Sequence, residues 1–310
     1  MSNGSFFSAS GRRGGTLALV LAALAPVGLG GWLLWDNLGH NDTEQNGGGA
    51  PASSFPTVSS TSSPLPPQAP QAPQAPSGSP KNKTDGKPLT GKVVVLDPGH
   101  NPNNRDHTSE IARRVDIGTN KKECDTTGTA TEAGYSEASF TLDVARHART
   151  LLEARGATVK FTQDGDRPFG PCVDERARIG NNAHADAVVS VHADGAPAGA
   201  RGFHVILPKS VRGGGADTEK IAAPSRLLGE RVRSEFMDAT GSEPADYIGD
   251  GSGLNVRGDL GGLNLSTVPK VFIECGNMRD SKDAAELIDP KWRERAALGI
   301  AQGITDFLNR

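Results

Sequence analysis

Four residues with metal-binding or acid–base side chains stand at the ends of predicted secondary-structure elements. His100, His192 and Glu274 follow or close apolar, strand-like runs, and Glu137 lies in the first turn of a predicted helix. Two imidazoles and one carboxylate form a suitable set for catalytic zinc, which takes three protein ligands and keeps a fourth position for water. One acid then remains to act as a base. A single histidine at a strand end is more commonly a structural residue, so it is the occurrence of all four together that predicts a zinc site.

The apolar runs that carry these residues must meet for such a site to form. The run VVVL before Asp97 has the unbroken β-branched character of a strand covered on both faces, and Pro98 and Gly99 end it. Similar strands are predicted over 185–194 and 268–277. In open α/β sheets, ligands bind beyond the carboxyl ends of the strands. If the three strands are parallel, their two histidines and one glutamate share that edge.

From residue 91 onward, predicted strands alternate with predicted helices. This alternation indicates one α/β domain over 91–310 with a mostly parallel, mixed sheet flanked by helices. The additional strands are predicted over 157–162 and 202–207, and the helices over 135–156, 173–183, 225–239 and 283–308, the last broken near Pro290. Two segments are predicted as loops: the polar stretch 101–134, whose length indicates a function, and the glycine-containing stretch 207–223.

The first 90 residues do not have the composition of a globular domain. Residues 14–35 contain no charge and are long enough to cross a hydrocarbon core of about 30 Å at roughly 1.5 Å per residue. Because Arg12 and Arg13 precede this run, we predict a short cytoplasmic tail (1–13), a transmembrane anchor (14–35) and a remainder outside the cell membrane. Residues 36–90, rich in Pro, Gly, Ser and Ala, are predicted to be a disordered linker.

A cleaved signal peptide is the alternative interpretation of residues 14–35, and it would make the protein secreted. The small-residue cleavage site is poor, because Ala23-Leu24-Ala25 is followed by Pro26 and the apolar run continues to Trp35. A retained anchor is therefore the expectation.

Charge excludes one class of partner. The formal net charge is −3 with acidic and basic residues interspersed, so the chain has no basic stripe of the kind that captures nucleic acid. No internal repeat is visible in the sequence, and we expect a monomer.

Four segments, in this order along the chain, resemble one enzyme family: VVVLDPGH, GYSEASFTLDVARHARTLLEARG, VVSVHAD and VFIECGNM. They are similar to the zinc-dependent N-acetylmuramoyl-L-alanine amidases of the amidase-3 family, especially the mycobacterial and actinobacterial members without a wall-binding domain. The resemblance covers nearly all of residues 91–310 and implies the phosphorylase/hydrolase-like α/β fold. It also implies that His100, Glu137 and His192 bind one Zn²⁺ per chain and that Glu274 is the catalytic glutamate.

The activity implied by this resemblance is hydrolysis of the amide bond between N-acetylmuramic acid and the L-alanine of the stem peptide. Water activated by zinc would attack the carbonyl, and Glu274 would accept its proton. Peptidoglycan or a muropeptide is then the expected substrate. Two alternatives stay open: another zinc hydrolase that acts within the stem peptide, and a non-catalytic peptidoglycan-binding module. The presence of all four site residues disfavours the second alternative.

Weaker signals add candidates around this site. Asp194, two residues beyond His192, could orient a metal ligand, although a solvated aspartate at a strand end is the alternative. Arg257, Asp259 and Asn264, in the glycine-rich segment NVRGDLGGLN, could hold the stem peptide, and a plain turn is an equal alternative.

Cysteine usage agrees with a location outside the cytosol. Cys124 and Cys172 are expected to form a disulfide in an oxidising compartment, and the resembling enzymes carry cysteines at both positions. Cys275 is left unpaired and is predicted to be a small core residue. No metal role is assigned to the remaining histidines of this domain, which are His107, His147, His184 and His204.

Overall fold

The computed structural model describes residues 86–310. The predicted cytoplasmic tail (1–13), the predicted anchor (14–35) and the predicted linker up to residue 85 lie outside the described residues. Within 86–310, no helix combines the length and the apolar character needed to cross a membrane. Residues 86–90, assigned to the linker from sequence, are described, and Leu89 among them is fully buried.

The described residues are built around a six-stranded mixed sheet. Its strands are β1 (Val93–Pro98), β4 (Thr158–Phe161), β5 (Ala187–Asp194), β6 (His204–Pro208), β9 (Leu254–Arg257) and β10 (Lys270–Asn277). Their order across the sheet is β4-β1-β5-β10-β6-β9. The first four are parallel to one another, whereas β6 pairs antiparallel with β10 and parallel with β9. The predicted mostly parallel, mixed sheet is therefore confirmed.

Short hairpins and helices complete the fold. The hairpins are β2–β3 (Arg114–Asp116 and Lys121–Glu123) and β7–β8 (Arg212–Gly213 and Ala216–Asp217). The helices are α1 (Thr108–Ile111), α2 (Glu137–Ala154), α3 (Val173–Asn182), α4 (Glu219–Thr240), α5 (Gly261–Asn264), α6 (Ser281–Ile288) and α7 (Pro290–Leu308). Helices α2, α4 and α7 pack together on one face of the sheet, and α3 and α5 pack together on the other.

Side chains of the three central strands alternate between these two faces. Residues such as Val191 and Ile273 enter the large hydrophobic core that the sheet shares with α2, α4 and α7. Because successive side chains of a strand point to opposite faces, the alternate positions Asp97, His192 and Glu274 lie on the α3 side. The apolar core and the polar chemistry are thus separated by the sheet itself.

Local sequence signals explain the helix that carries Glu137. Ser136 is the N-cap of α2, and its hydroxyl accepts the backbone N–H of Ser139 at 3.3 Å. The helix then buries Phe140 and Val144 against the sheet. This docking leaves the first turn of α2 beside the carboxyl ends of β1 and β5.

Three segments differ from the sequence prediction. Stretch 101–134 contains α1 and the hairpin β2–β3, and stretch 207–223 contains the hairpin β7–β8 and the start of α4. The segment NVRGDLGGLN forms β9 and α5 instead of a plain turn. Short strands are stabilised by pairing with residues distant in sequence, as β9 pairs with β6 through Val205 and Leu254, so their own composition does not reveal them.

Candidate metal centre

The structure brings His100, Glu137 and His192 together at the carboxyl edge of the sheet. One potential ligand atom from each lies within 4.8 Å of the others. Oε1 of Glu137 lies 3.2 Å from Nε2 of His100 and 3.0 Å from Nδ1 of His192. The two histidine rings are 5.1 Å apart, edge to face. Each ring therefore turns one nitrogen toward the shared carboxylate.

Two glycines make room for the histidine rings. A Cβ at Gly99 would lie 2.4 Å from Cε1 of His192, and one at Gly128 would lie 2.8 Å from Cδ2 of His100. Gly128 also has a positive φ of 74°, which disfavours other residues. On its other side His192 stacks on Phe272, with ring centroids 5.1 Å apart. The glycine of the DPGH motif is thus explained by the close approach of the second histidine.

Glu137 is held as an ionised carboxylate. Its Oε2 accepts the backbone N–H of Thr129 at 2.9 Å, and its own N–H donates to the carbonyl of Thr129 at 2.9 Å. Burial alone would raise the pKa of Glu137, but the imidazoles of His100 and His192 outweigh burial and hold this pKa well below its ordinary value. An oriented carboxylate whose pKa lies below its ordinary value is suited to bind a cation.

Glu274, the second glutamate of the site, has a different environment from Glu137. It pairs with His192 across the parallel strands β5 and β10, so the two side chains emerge on the same face one strand apart. Burial raises the pKa of Glu274 well above its ordinary value, and the carboxylates of Asp194 and Glu137 add to this shift. A raised pKa suits a group that must accept a proton and release it again near neutral pH.

The sequence reasoning missed Asp125 and Arg176. Oδ1 of Asp125 lies 3.3 Å from Nδ1 of His100, on the side of the ring away from Glu137. Arg176 ion-pairs with both Asp125 and Asp97, at 3.0 and 2.8 Å. The sequence signal was Asp97, a carboxylate within an otherwise apolar strand, because a buried acid requires buried cations to pair with it.

A groove of about 570 Å³ opens beside His100 and His192. Its walls are the hairpin β2–β3 and the segment 259–262, which are linked by an ion pair of 3.0 Å between Lys122 and Asp259. Charged groups of both signs line it, including Lys121 and Glu123. Such a groove suits a polar, extended ligand that carries both ammonium and carboxylate groups.

The residues predicted to hold substrate have different positions. Asp259 lines the groove and pairs with Arg257 at 2.7 Å, and hydrogen bonds from Arg257 lower the pKa of Asp259 to about 2. Asn264 is buried instead, because α5 turns it inward, where its amide donates to the carbonyl of Gly258 at 3.0 Å. Asn264 thus supports the wall of the groove, and a contact with substrate stays a prediction.

Asp194, predicted to orient a metal ligand, lies beside Tyr247 and Gly195. Its carboxylate accepts the hydroxyl of Tyr247 at 3.0 Å and the N–H of Gly195 at 2.6 Å, rather than contacting a histidine ring that faces Glu137. Its charge acts on the pKa of Glu274 instead. The carboxylate beside Nδ1 of His100 belongs instead to Asp125, from a loop remote in sequence.

The cysteines lie as expected from the sequence. Cys124 and Cys172 form a disulfide, and Cys275 is a buried free thiol whose pKa is raised by burial. Of the other histidines, His204 is buried opposite Glu274 in β6, and burial lowers its pKa to about 4. His107 and His147 lie apart from the cluster and pair with Glu110 and Asp143.

Comparisons with known proteins agree on one family. The sequence model of the family described as N-acetylmuramoyl-L-alanine amidase, amidase-3, matches residues 94–306. An N-acetylmuramoyl-L-alanine amidase of Mycobacterium tuberculosis is 37% identical over 71% of this chain and 88% of its own length. The crystal structure of the amidase Ami1 from Mycobacterium smegmatis shares 40% identity and superposes with a TM-score of 0.65, over 71% of this chain and 98% of Ami1.

Proposed function

Because the chain belongs to the amidase-3 family of N-acetylmuramoyl-L-alanine amidases, we propose that it cleaves peptidoglycan with one zinc ion held by His100, Glu137 and His192. The bond cleaved is the amide between N-acetylmuramic acid and the L-alanine of the stem peptide. The observation that carries this proposal is the cluster of three ligand atoms within 4.8 Å, with Glu274 on the adjacent strand.

The donor set fits zinc rather than a harder cation. Two imidazole nitrogens and one carboxylate oxygen match the three-ligand sites of zinc hydrolases, whereas calcium and magnesium prefer oxygen donors throughout. Nδ1 of His100 faces the carbonyl oxygen of Thr126 at 3.1 Å, so this nitrogen carries the proton and Nε2 is free to bind metal. When bound, zinc supplies Lewis acidity that polarises the scissile carbonyl and lowers the pKa of water toward about 7.

The residues of the chain supply the proton transfers and the orientation of the substrate. Glu274 takes a proton from the attacking water and delivers it to the nitrogen of the leaving L-alanine. The raised pKa of Glu274 brings its acidity closer to that of the attacking water in the first transfer and to that of the leaving amine in the second. The groove between the hairpin β2–β3 and Asp259 receives the stem peptide, whose amines and carboxylates meet side chains of opposite charge.

Substitution of single site residues tests this assignment. Glu274→Gln keeps the shape of the side chain and removes the proton acceptor, so zinc content should stay near one per chain while turnover falls by roughly 10²-fold or more. His192→Ala should lose both zinc and activity. The control is His147→Ala, a half-exposed histidine on α2 that pairs only with Asp143 among the described residues.

Mass spectrometry of digested muropeptides identifies the bond that is cleaved. Intact stem peptides released from the glycan are expected, whereas shortened stem peptides would indicate a peptidase and no release would indicate a binding module. Full activity of Glu274→Gln would exclude it as the base. Loss of zinc from that variant would make Glu274 a ligand and revise the role of Glu137.

We also propose that the enzyme acts outside the cytosol, attached to the membrane through residues 14–35. Support comes from the uncharged apolar run after Arg12 and Arg13 and from the disulfide Cys124–Cys172, which persists in oxidising compartments. The full chain should remain in the membrane fraction, with its catalytic region open to protease added from outside. Recovery of a mature chain that begins near Gly30 or later would contradict the anchor.

A further inference from the structure

A series of buried ion pairs adjoins the candidate metal centre. Nζ of Lys270 pairs with Oδ2 of Asp97 at 2.9 Å, and Oδ1 of Asp97 pairs with Arg176 at 2.8 Å. Arg176 then pairs with Oδ2 of Asp125 at 3.0 Å, and Oδ1 of Asp125 lies 3.3 Å from Nδ1 of His100. All four charged side chains are at least nine-tenths buried. The series of ion pairs therefore extends from the centre of the sheet to His100, a predicted ligand of the metal.

Burial of four charges is costly, and apolar residues of similar volume commonly stabilise a core as well or better. Two acids and two bases balance one another here, so the cluster is neutral without His100. Stability alone does not explain why such a cluster occupies this place in the fold. Its last member contacts an imidazole that faces Glu137, which points to a role in the metal centre.

All the N–H groups of the Arg176 guanidinium donate hydrogen bonds. Its five N–H groups donate to five acceptors: Pro171 O at 2.9 Å, Asp97 Oδ1 at 2.8 Å, Pro98 O at 2.7 Å, His100 O at 2.9 Å and Asp125 Oδ2 at 3.0 Å. Because only arginine offers five donors in one plane, lysine cannot replace this set of contacts. Arg176 thus holds the backbone on both sides of Gly99.

His100 needs this support. Its φ is 61°, in the left-handed region that residues other than glycine rarely adopt. Such a conformation costs about 1–3 kcal/mol and persists only where surrounding contacts hold it. Its carbonyl accepts from Arg176 and from Nε2 of Gln163, at 2.9 and 3.0 Å. Its Nδ1 faces three polar groups: the carbonyl of Thr126 at 3.1 Å, the hydroxyl of Thr126 at 3.2 Å and the carboxylate of Asp125 at 3.3 Å. The backbone and the ring of His100 are therefore fixed separately.

We propose that Asp125 and Arg176 are positioning residues for the metal ligand His100. The carboxylate of Asp125 lies beside Nδ1 together with the carbonyl of Thr126, so these two acceptors hold the Nδ1 proton and keep Nε2 directed at the metal, and Arg176 holds both the carboxylate of Asp125 and the carbonyl of His100. This inference rests on the proposed function, because it assumes that His100 binds zinc. Partners that orient a metal-binding histidine in this way typically contribute 10- to 100-fold, roughly, in metal affinity.

Zinc titration of the metal-free full-length chain, with a competing chromophoric chelator, tests the inference. In Asp125→Asn the new side chain has the same shape, but its single carbonyl oxygen cannot serve both His100 and Arg176. The Kd for Zn²⁺ should rise roughly 10- to 100-fold in Asp125→Asn and in Arg176→Lys, which keeps the charge but loses the planar donors.

The matched control is Asp186→Asn. Asp186 accepts the N–H of Val93 at 2.8 Å and pairs with Lys92 at 3.4 Å, at the opposite end of the same strands. Its Kd for Zn²⁺ should stay within about twofold of the wild type. Thermal unfolding of each metal-free variant, read by near-ultraviolet circular dichroism, shows whether the fold itself is retained.

The outcomes separate this inference from the proposed function. A wild-type chain that does not bind Zn²⁺ would overturn both. Binding by the wild type, with Asp125→Asn matching Asp186→Asn in Kd, would overturn only the positioning role, even if the Asn variant were less stable. If Arg176→Lys fails to fold, the isosteric Asp125→Asn decides the question alone. A raised Kd in a variant whose metal-free fold is intact supports the inference.

Discussion

At the scale of single residues, the environment of His192 shows how closely the metal centre is built. The ring lies between the Cα of Gly99 and the ring of Phe272. Gly99 has an ordinary backbone conformation, so what forbids a side chain there is space alone. The position of one imidazole is thus set by the absence of a Cβ on the neighbouring strand.

A methyl group at Gly99 should displace that imidazole. In Gly99→Ala the new Cβ would lie 2.4 Å from the ring of His192, so the ring must rotate or shift and the Kd for Zn²⁺ should rise by at least about 10-fold. Zinc titration and the rate of muropeptide release are the measurements. Gly213→Ala is the control, since Gly213 is exposed and a Cβ there meets nothing within 4 Å. Unchanged zinc affinity in Gly99→Ala would show that the ring is free to move.

At the scale of elements, the disulfide connects the loop that carries Asp125 to the helix that carries Arg176. Cys124 precedes Asp125, and Cys172 is the N-cap residue of α3, one turn before Arg176. The N–H of Val173 also donates to the carbonyl of Cys124 at 2.7 Å. The disulfide therefore links the segments that carry Asp125 and Arg176, the two residues that contact His100.

Removal of the disulfide should lower the stability of the whole domain. For a sequence separation of 48, the chain-entropy model gives a loss in free energy of unfolding of about 4 kcal/mol in Cys124→Ser with Cys172→Ser. Urea unfolding measures this loss. A reductant should reproduce the effect on the wild type and leave the double variant unchanged. Equal stability of the two proteins without reductant would contradict the prediction.

Across the whole described region, the sheet separates the large apolar core from the charged residues and the metal centre. One face packs against α2, α4 and α7 in a large apolar core, and the other holds the buried ion pairs and the metal centre. This second face buries charges that must stay ionised and paired, because loss of one partner leaves an unpaired buried charge. The stability of the domain is therefore expected to depend on pH in the acid range.

Acid should destabilise the fold through Asp97. Burial alone would raise its pKa, but Lys270 and Arg176 outweigh burial and hold this pKa well below its ordinary value of 3.8. The unfolded chain then binds a proton at higher pH than the folded chain. The contribution of Asp97 is present above pH 3.8 and is lost below it, by about 1.4 kcal/mol per pH unit.

Urea unfolding between pH 7 and the acid range checks this dependence. Asp97→Asn should be less stable at neutral pH by about 3–5 kcal/mol, because Lys270 and Arg176 lose a buried partner. The stability of this variant should also fall less steeply below pH 3.8. Parallel curves for the wild type and the variant would mean that other groups cause the acid dependence.

Local sequence patterns were sufficient to predict much of the fold and the candidate metal ligands. β-branched runs ended by residues such as Pro98 predicted the central strands, and their parallel arrangement placed His100 and His192 at one edge, as observed. An apolar helical period predicted α2, with Glu137 in its first turn. These features depend on residues that are neighbours along the chain, so they could be predicted from the sequence.

The further residues around the metal centre follow from long-range packing. The strands are apolar on both faces, so their sequence does not tell on which face of the sheet Asp97 and Glu274 lie. Asp97 pairs with Arg176 and Lys270, which are 79 and 173 residues away, and the Asp125 that contacts His100 comes from a polar loop with no periodic pattern. Contacts of this kind arise from the pairing order of the strands and from the docking of α3, and no local pattern in the sequence encodes them.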